Sequence, residues 1–123
     1  ASSAGLLPAG PYMATYYATK SYVVSITKAV AEELKEQGSN IYVEALCPGP
    51  VDTEFNENAD VIFALRGITP RFCVKEAIHG MKKKQVIIVP SLMKLAVMGQ
   101  KLLPSNILMK IVAKQQKKKT ENL

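Results

Sequence analysis

The chain has 123 residues, 48% of them hydrophobic and 21% charged, with a formal net charge of +6. That length holds one domain at most, and the balance excludes a disordered or collagen-like chain. No apolar run approaches the roughly 18 residues that a membrane-crossing helix requires. Cys47 and Cys73 have neither disulfide-framework nor zinc-ligand spacing, so no metal site and a reducing compartment are expected.

Charge is unevenly spread: residues 1–62 carry net −5 and residues 63–123 net +11. The opening, Ala1 to Pro11, is rich in Ala, Ser, Gly and Pro and reads as a loop. It has neither the basic n-region nor the apolar h-region of a secretory signal, so a cytoplasmic location is expected. It also lacks a start methionine, and a missing upstream segment is expected.

A long helix is predicted over Tyr12 to Gln37. Val23, Ile26, Val30, Ala31 and Leu34 recur at helical spacing, and Gly38 suits the stop. Asn40 to Cys47 alternates as a strand and ends at Pro48-Gly49-Pro50. Asp52 to Leu65 is mixed. A helix from Pro70 to Lys83 should turn Phe72, Val74, Ala77, Ile78 and Met81 inward. Val86 to Pro90 reads as a buried strand. Two helices follow, about Leu92–Leu103 and Asn106–Lys118, with Pro104 between them and Ser105 placed to cap the second.

Strands separated by helices imply crossover units and a parallel sheet. Two strands are too few for a parallel sheet covered on both faces. The expected fold class is therefore α/β, the C-terminal half of a doubly wound parallel sheet with extra C-terminal helices.

The chemistry concentrates in Tyr16-Tyr17-Ala18-Thr19-Lys20. Tyr16 and Lys20 are four residues apart and share one helical face. A phenol with an ordinary pKa near ~10 is a poor proton shuttle at neutral pH. A fixed ammonium beside it favours the phenolate and improves it as an acid/base. Ser3 lies thirteen residues before Tyr16, and Pro48-Gly49-Pro50-Val51-Asp52-Thr53 follows the next predicted strand.

Together these motifs resemble the C-terminal half of a short-chain dehydrogenase/reductase, a family with a Rossmann-like domain and a Ser–Tyr–Lys site. The resemblance covers nearly all of residues 1–90. It implies that Ser3, Tyr16 and Lys20 are catalytic. Ser3 would hydrogen-bond the substrate oxygen, Tyr16 would act as general acid/base, and Tyr17 would be a packing residue. Lys20 would hold the nicotinamide ribose and assist Tyr16. Tyr16, Lys20, Pro48, Gly49, Val51 and Thr53 would face the cofactor, NAD or NADP, and Glu54 to Leu65 would form the substrate lid. Residues 1–90 would then be half of a dinucleotide-binding catalytic domain, and residues 91–123 a basic amphipathic helical extension. The Gly-rich phosphate turn of the family does not occur in these 123 residues, so the chain is expected to be a fragment.

The implied activity is hydride transfer between nicotinamide and a ketone or secondary alcohol. Phe55, Val61, Ile62, Phe63 and Leu65 favour an apolar or acyl substrate. The alternative is a catalytically silent half-domain acting through self-association. A homodimer or homotetramer is expected along the Tyr–Lys helix. Ile107, Leu108, Ile111 and Val112 form one stripe with lysines largely off it. It would suit an anionic membrane surface, giving a peripheral membrane location, while the basic half would suit an acidic acyl carrier. His79 has no arranged nucleophile and carboxylate around it. The lysine runs lack interleaved aromatics, so no nucleic acid is expected.

Overall fold

The computed structural model describes residues 1–53, 67–90 and 93–120. Ser3–Leu6 forms a 3-10 turn, capped by the Ser2 hydroxyl, which accepts from the Ala4 amide at 3.2 Å. Helix α1 spans Ala14–Glu36. It stops just before Gly38, as the sequence predicts. Gly38 takes φ +64° and donates its amide to the Lys35 carbonyl at 3.0 Å, while the Ser39 amide reaches the Leu34 carbonyl at 2.9 Å. This pair of bonds requires a left-handed residue, a conformation that costs an L side chain roughly 1 kcal/mol.

The inward line of α1 is Tyr17 and Val24, whereas Val23 and Ile26 are exposed. Helical spacing identifies the helix but not which of two apolar lines it buries.

Strand β1 is Ala45–Leu46, much shorter than the predicted Asn40–Cys47. It pairs in parallel with β2, Ile87–Ile88. The Ala45 amide donates to the Val86 carbonyl at 2.8 Å and the Cys47 amide to the Ile88 carbonyl at 2.7 Å. A strand is defined by its partner's bonds, and among the described residues β1 has this one partner strand. The flanking Ile41 to Glu44 therefore has the composition of a strand without its ladder.

Both faces of this small sheet carry helices. Val24 of α1 packs with Ala45 and Cys47, with Ile87 and Val89 beside them. Ile88, alternating to the other face, meets Gly80 of α2, Pro70–Lys82. Thr69 caps α2, its hydroxyl accepting from the Phe72 amide at 3.2 Å, and Pro70 sits in the first turn. The packed line of α2 includes Cys73 and Gly80. Phe72, Val74, Ile78 and Met81 look outward, which corrects the predicted inward side.

The C-terminal part is α3 (Met93–Gly99), a 3-10 turn (Gln100–Leu102) and α4 (Ser105–Thr120). Ser105 is the first residue of α4 and not its cap. The Pro104 carbonyl accepts from the Ile107 and Leu108 amides at 3.0 and 3.1 Å. The amphipathic stripe of α4 divides. Leu108 and Val112 pack with Ala4 and Tyr17, and Ile107 and Ile111 stay exposed. No helix among the described residues is long and apolar enough to cross a membrane. Among the described residues the fold is α/β, with helices around a two-stranded parallel sheet.

Candidate active site

The glycine at position 5 brings the 3-10 turn onto α1. A Cβ there would fall well inside contact distance of the Lys20 main-chain carbonyl. Only a glycine permits that approach. The contact is reinforced by the Ser21 hydroxyl, which donates to the Gly5 carbonyl at 3.3 Å. Ser3, two residues earlier, is thereby held near the Tyr–Lys helix and is 5% exposed. Its amide donates to the Pro48 carbonyl at 2.9 Å. Two loops distant in sequence, Ser3 and Pro48-Gly49, are thus joined directly.

Tyr16 and Tyr17 separate into different environments. Tyr16 is 41% exposed, and Lys20 Nζ stands 5.3 Å from its ring centroid, within cation–π range. Lys20 makes no ion pair among the described residues. Tyr17 is buried, and its phenolic oxygen accepts from Gln116 Nε2 at 2.6 Å. Burial pushes the Tyr17 phenol above its ordinary value, partly offset by the Gln116 bond. A phenol held neutral and away from solvent is poorly placed for proton exchange at neutral pH.

The Pro48-Gly49-Pro50 loop is half-buried and follows Cys47, whose thiol is fully buried and pushed upward by that burial. Met93 covers the Cα of Gly49. Val51 bridges in parallel to Ile68, with the Asp52 amide on the Ile68 carbonyl at 2.9 Å and the Ile68 amide on the Pro50 carbonyl at 3.0 Å. Thr53 is exposed at the end of this run. The predicted lid, Glu54 to Leu65, lies outside the described residues.

Sequence reasoning identifies Ser3, Tyr16 and Lys20 but gives Gly5 no role of its own. The available signal is a small-residue run next to Ser3, which fits any loop.

A family model described as short chain dehydrogenase matches residues 1–61. This segment belongs to the short-chain dehydrogenase family. No curated protein and no solved structure matches the chain. The short-chain dehydrogenase segment contains every residue of the candidate site, from Ser3 to Thr53. A dehydrogenase family is one of oxidoreductases. The segment ends before α2, β2 and the two C-terminal helices.

Proposed function

We propose that the chain carries the proton-transfer end of an NAD(P)-dependent oxidoreductase acting on a ketone or secondary alcohol. The supporting observation is the exposed Tyr16 phenol with the Lys20 ammonium 5.3 Å from its ring, on the helix against which the Ser3 turn rests.

In reduction Tyr16 gives its phenolic proton to the carbonyl oxygen, and in oxidation it takes that proton back. Ser3 hydrogen-bonds the same oxygen. Lys20, having no ion pair among the described residues, offers its ammonium to the ribose hydroxyls. Backbone groups around Pro48, Gly49 and Val51, with the Thr53 hydroxyl, would hold the carboxamide. NAD or NADP supplies the hydride when bound. These residues fit the nicotinamide and ribose end of such a cofactor; no Gly-rich phosphate cradle occurs in the sequence.

The two strands are then the last pair of a larger, Rossmann-like doubly wound sheet, continued along the edge of β1 away from β2. An apolar ketone or acyl substrate is proposed from the composition of residues 55–65, and an acidic acyl carrier from the basic C-terminal half. In the full-length protein, Lys20→Met should raise the KM for the coenzyme at least tenfold and lower kcat as well. Coenzyme-dependent ketone reduction gives both numbers. Unchanged values of both would remove Lys20 from the site.

A second reading is favoured by one face of α1. Tyr22, Val23 and Ile26 are 67%, 37% and 45% exposed, opposite the buried Val24. A symmetric helix pair would cover them, giving a homodimer or tetramer. Such self-association accompanies the enzyme, or replaces its activity if the chain is catalytically silent. Light scattering at tens of micromolar should show a dimer or larger, reduced to monomer by Val23→Glu with Ile26→Glu. A monomeric mass for the unaltered protein contradicts this.

A further inference from the structure

A groove of about 670 Å³ lies between the 3-10 turn, α1, β2 and the C-terminal helices. That volume is in the range of small-molecule sites, roughly 300–1,000 Å³. None of Ser3, Tyr16, Lys20, Pro48, Gly49, Val51 or Thr53 lines it. The groove is separate from the candidate active site, and binding there does not depend on that site's chemistry.

Three features define what would fill it. The walls are aliphatic, with Leu6, Val24, Val89 and Leu108 among them. Three lysines, Lys28, Lys94 and Lys101, also line the groove, and among the described residues no acidic one does. All three are exposed, as suits cations at a mouth and not within a core. The third feature is Gln100, which lines the groove and is only 8% exposed. Its Nε2 donates to the Leu6 carbonyl at 2.6 Å, which fixes the orientation of the amide. Its Oε1 is buried and has no hydrogen-bond partner among the described residues. A buried acceptor left unpaired is uncommon in folded proteins, and a donor arriving with a ligand would satisfy it.

We infer that this groove binds a single-chain lipid whose head combines a hydroxyl with a phosphate. The aliphatic chain would lie along the walls, the hydroxyl would donate to Gln100 Oε1, and the phosphate would meet the lysines. A carboxylate without a hydroxyl would leave Oε1 unsatisfied, and a neutral lipid would leave the lysines without an anion. The chemistry is that of a monoacylated glycerophosphate, taken up as a single molecule and not as a bilayer surface.

The test uses the full-length protein and oleoyl lysophosphatidate below its micellar concentration. Saturable one-to-one binding is expected with a low-micromolar Kd. The analogue lacking the glycerol hydroxyl should bind at least threefold more weakly, and monooleoylglycerol, lacking the phosphate, at least tenfold. Lys94→Glu with Lys101→Glu changes only exposed positions, so the fold should survive, and should weaken binding at least tenfold. No saturable binding below 100 µM would overturn the inference, as would equal affinity for the three lipids or undiminished binding by the double variant. Adsorption to phosphatidylserine vesicles without binding of the monomeric lipid would also overturn it, and would assign the lysines to a membrane surface.

Discussion

Tyr16→Phe in the full-length protein is expected to lower the turnover of ketone reduction by a factor of about 10²–10⁴, the usual contribution of a positioned proton donor. That range is about 3–5 kcal/mol of barrier. The fold should be indifferent to the change. Tyr16 is 41% exposed, and a phenyl ring can keep its place beside Lys20. Coenzyme affinity should also hold, because the ammonium proposed to meet the ribose is untouched. The expected pattern is therefore a fall in kcat with little change in the coenzyme Kd, a separation that steady-state kinetics and a binding titration read independently. A fall in both would make Tyr16 a binding residue instead.

Gly5→Ala should damage stability and activity together. The new Cβ would press on the main-chain carbonyl of Lys20 and stand 3.0 Å from Val24 Cγ2. Main chain in the middle of α1 cannot move aside as a flexible side chain would. Overpacking of this kind costs about 1–3 kcal/mol, several degrees or more of melting temperature for a domain of this size. Relief requires the 3-10 turn to lift from α1, which shifts Ser3 and strains its 2.9 Å bond to Pro48. Turnover should fall as well. Gly99→Ala is the control: nothing stands within 4 Å of a Cβ there, and the residue lies in a helix. It should be neutral or stabilising by up to about 1 kcal/mol. A Gly5→Ala protein that melts with the wild type would mean that the turn does not rest on α1 as described.

The elements are legible in the sequence where the signal is local. The Gly38 stop, the Pro70 start and the break at Pro104 each depend on one residue's backbone preferences. Partners are not legible. Asn40 to Cys47 alternates as a strand should, yet only Ala45–Leu46 has a ladder among the described residues. On α2 the larger side chains mark the wrong side, because Gly80 lies against Ile88 and hydrophobicity gives a glycine no weight. That helix also closes as α1 does, with the Gln85 amide on the Gly80 carbonyl at 3.0 Å and Lys84 at φ +53°. A lysine gives no hint of a left-handed residue. In the candidate site, the spacing of Ser3, Tyr16 and Lys20 can be read directly. The bond from Ser3 to Pro48, spanning two distant loops, cannot. Nor can the bond between Gln116 and Tyr17, which ties α4 to α1.

That last contact gives the central claim its sharpest test, since adjacent tyrosines are assigned opposite roles. Tyr16→Phe and Tyr17→Phe should be assayed side by side for coenzyme-dependent ketone reduction. Tyr17→Phe loses the Gln116 bond, worth about 1 kcal/mol of stability, and should keep kcat within a few-fold of wild type. Tyr16→Phe should keep its stability and lose at least a hundredfold in kcat. Wild-type turnover in Tyr16→Phe, or an equal loss in both variants, would contradict the assignment of Tyr16 as the proton donor.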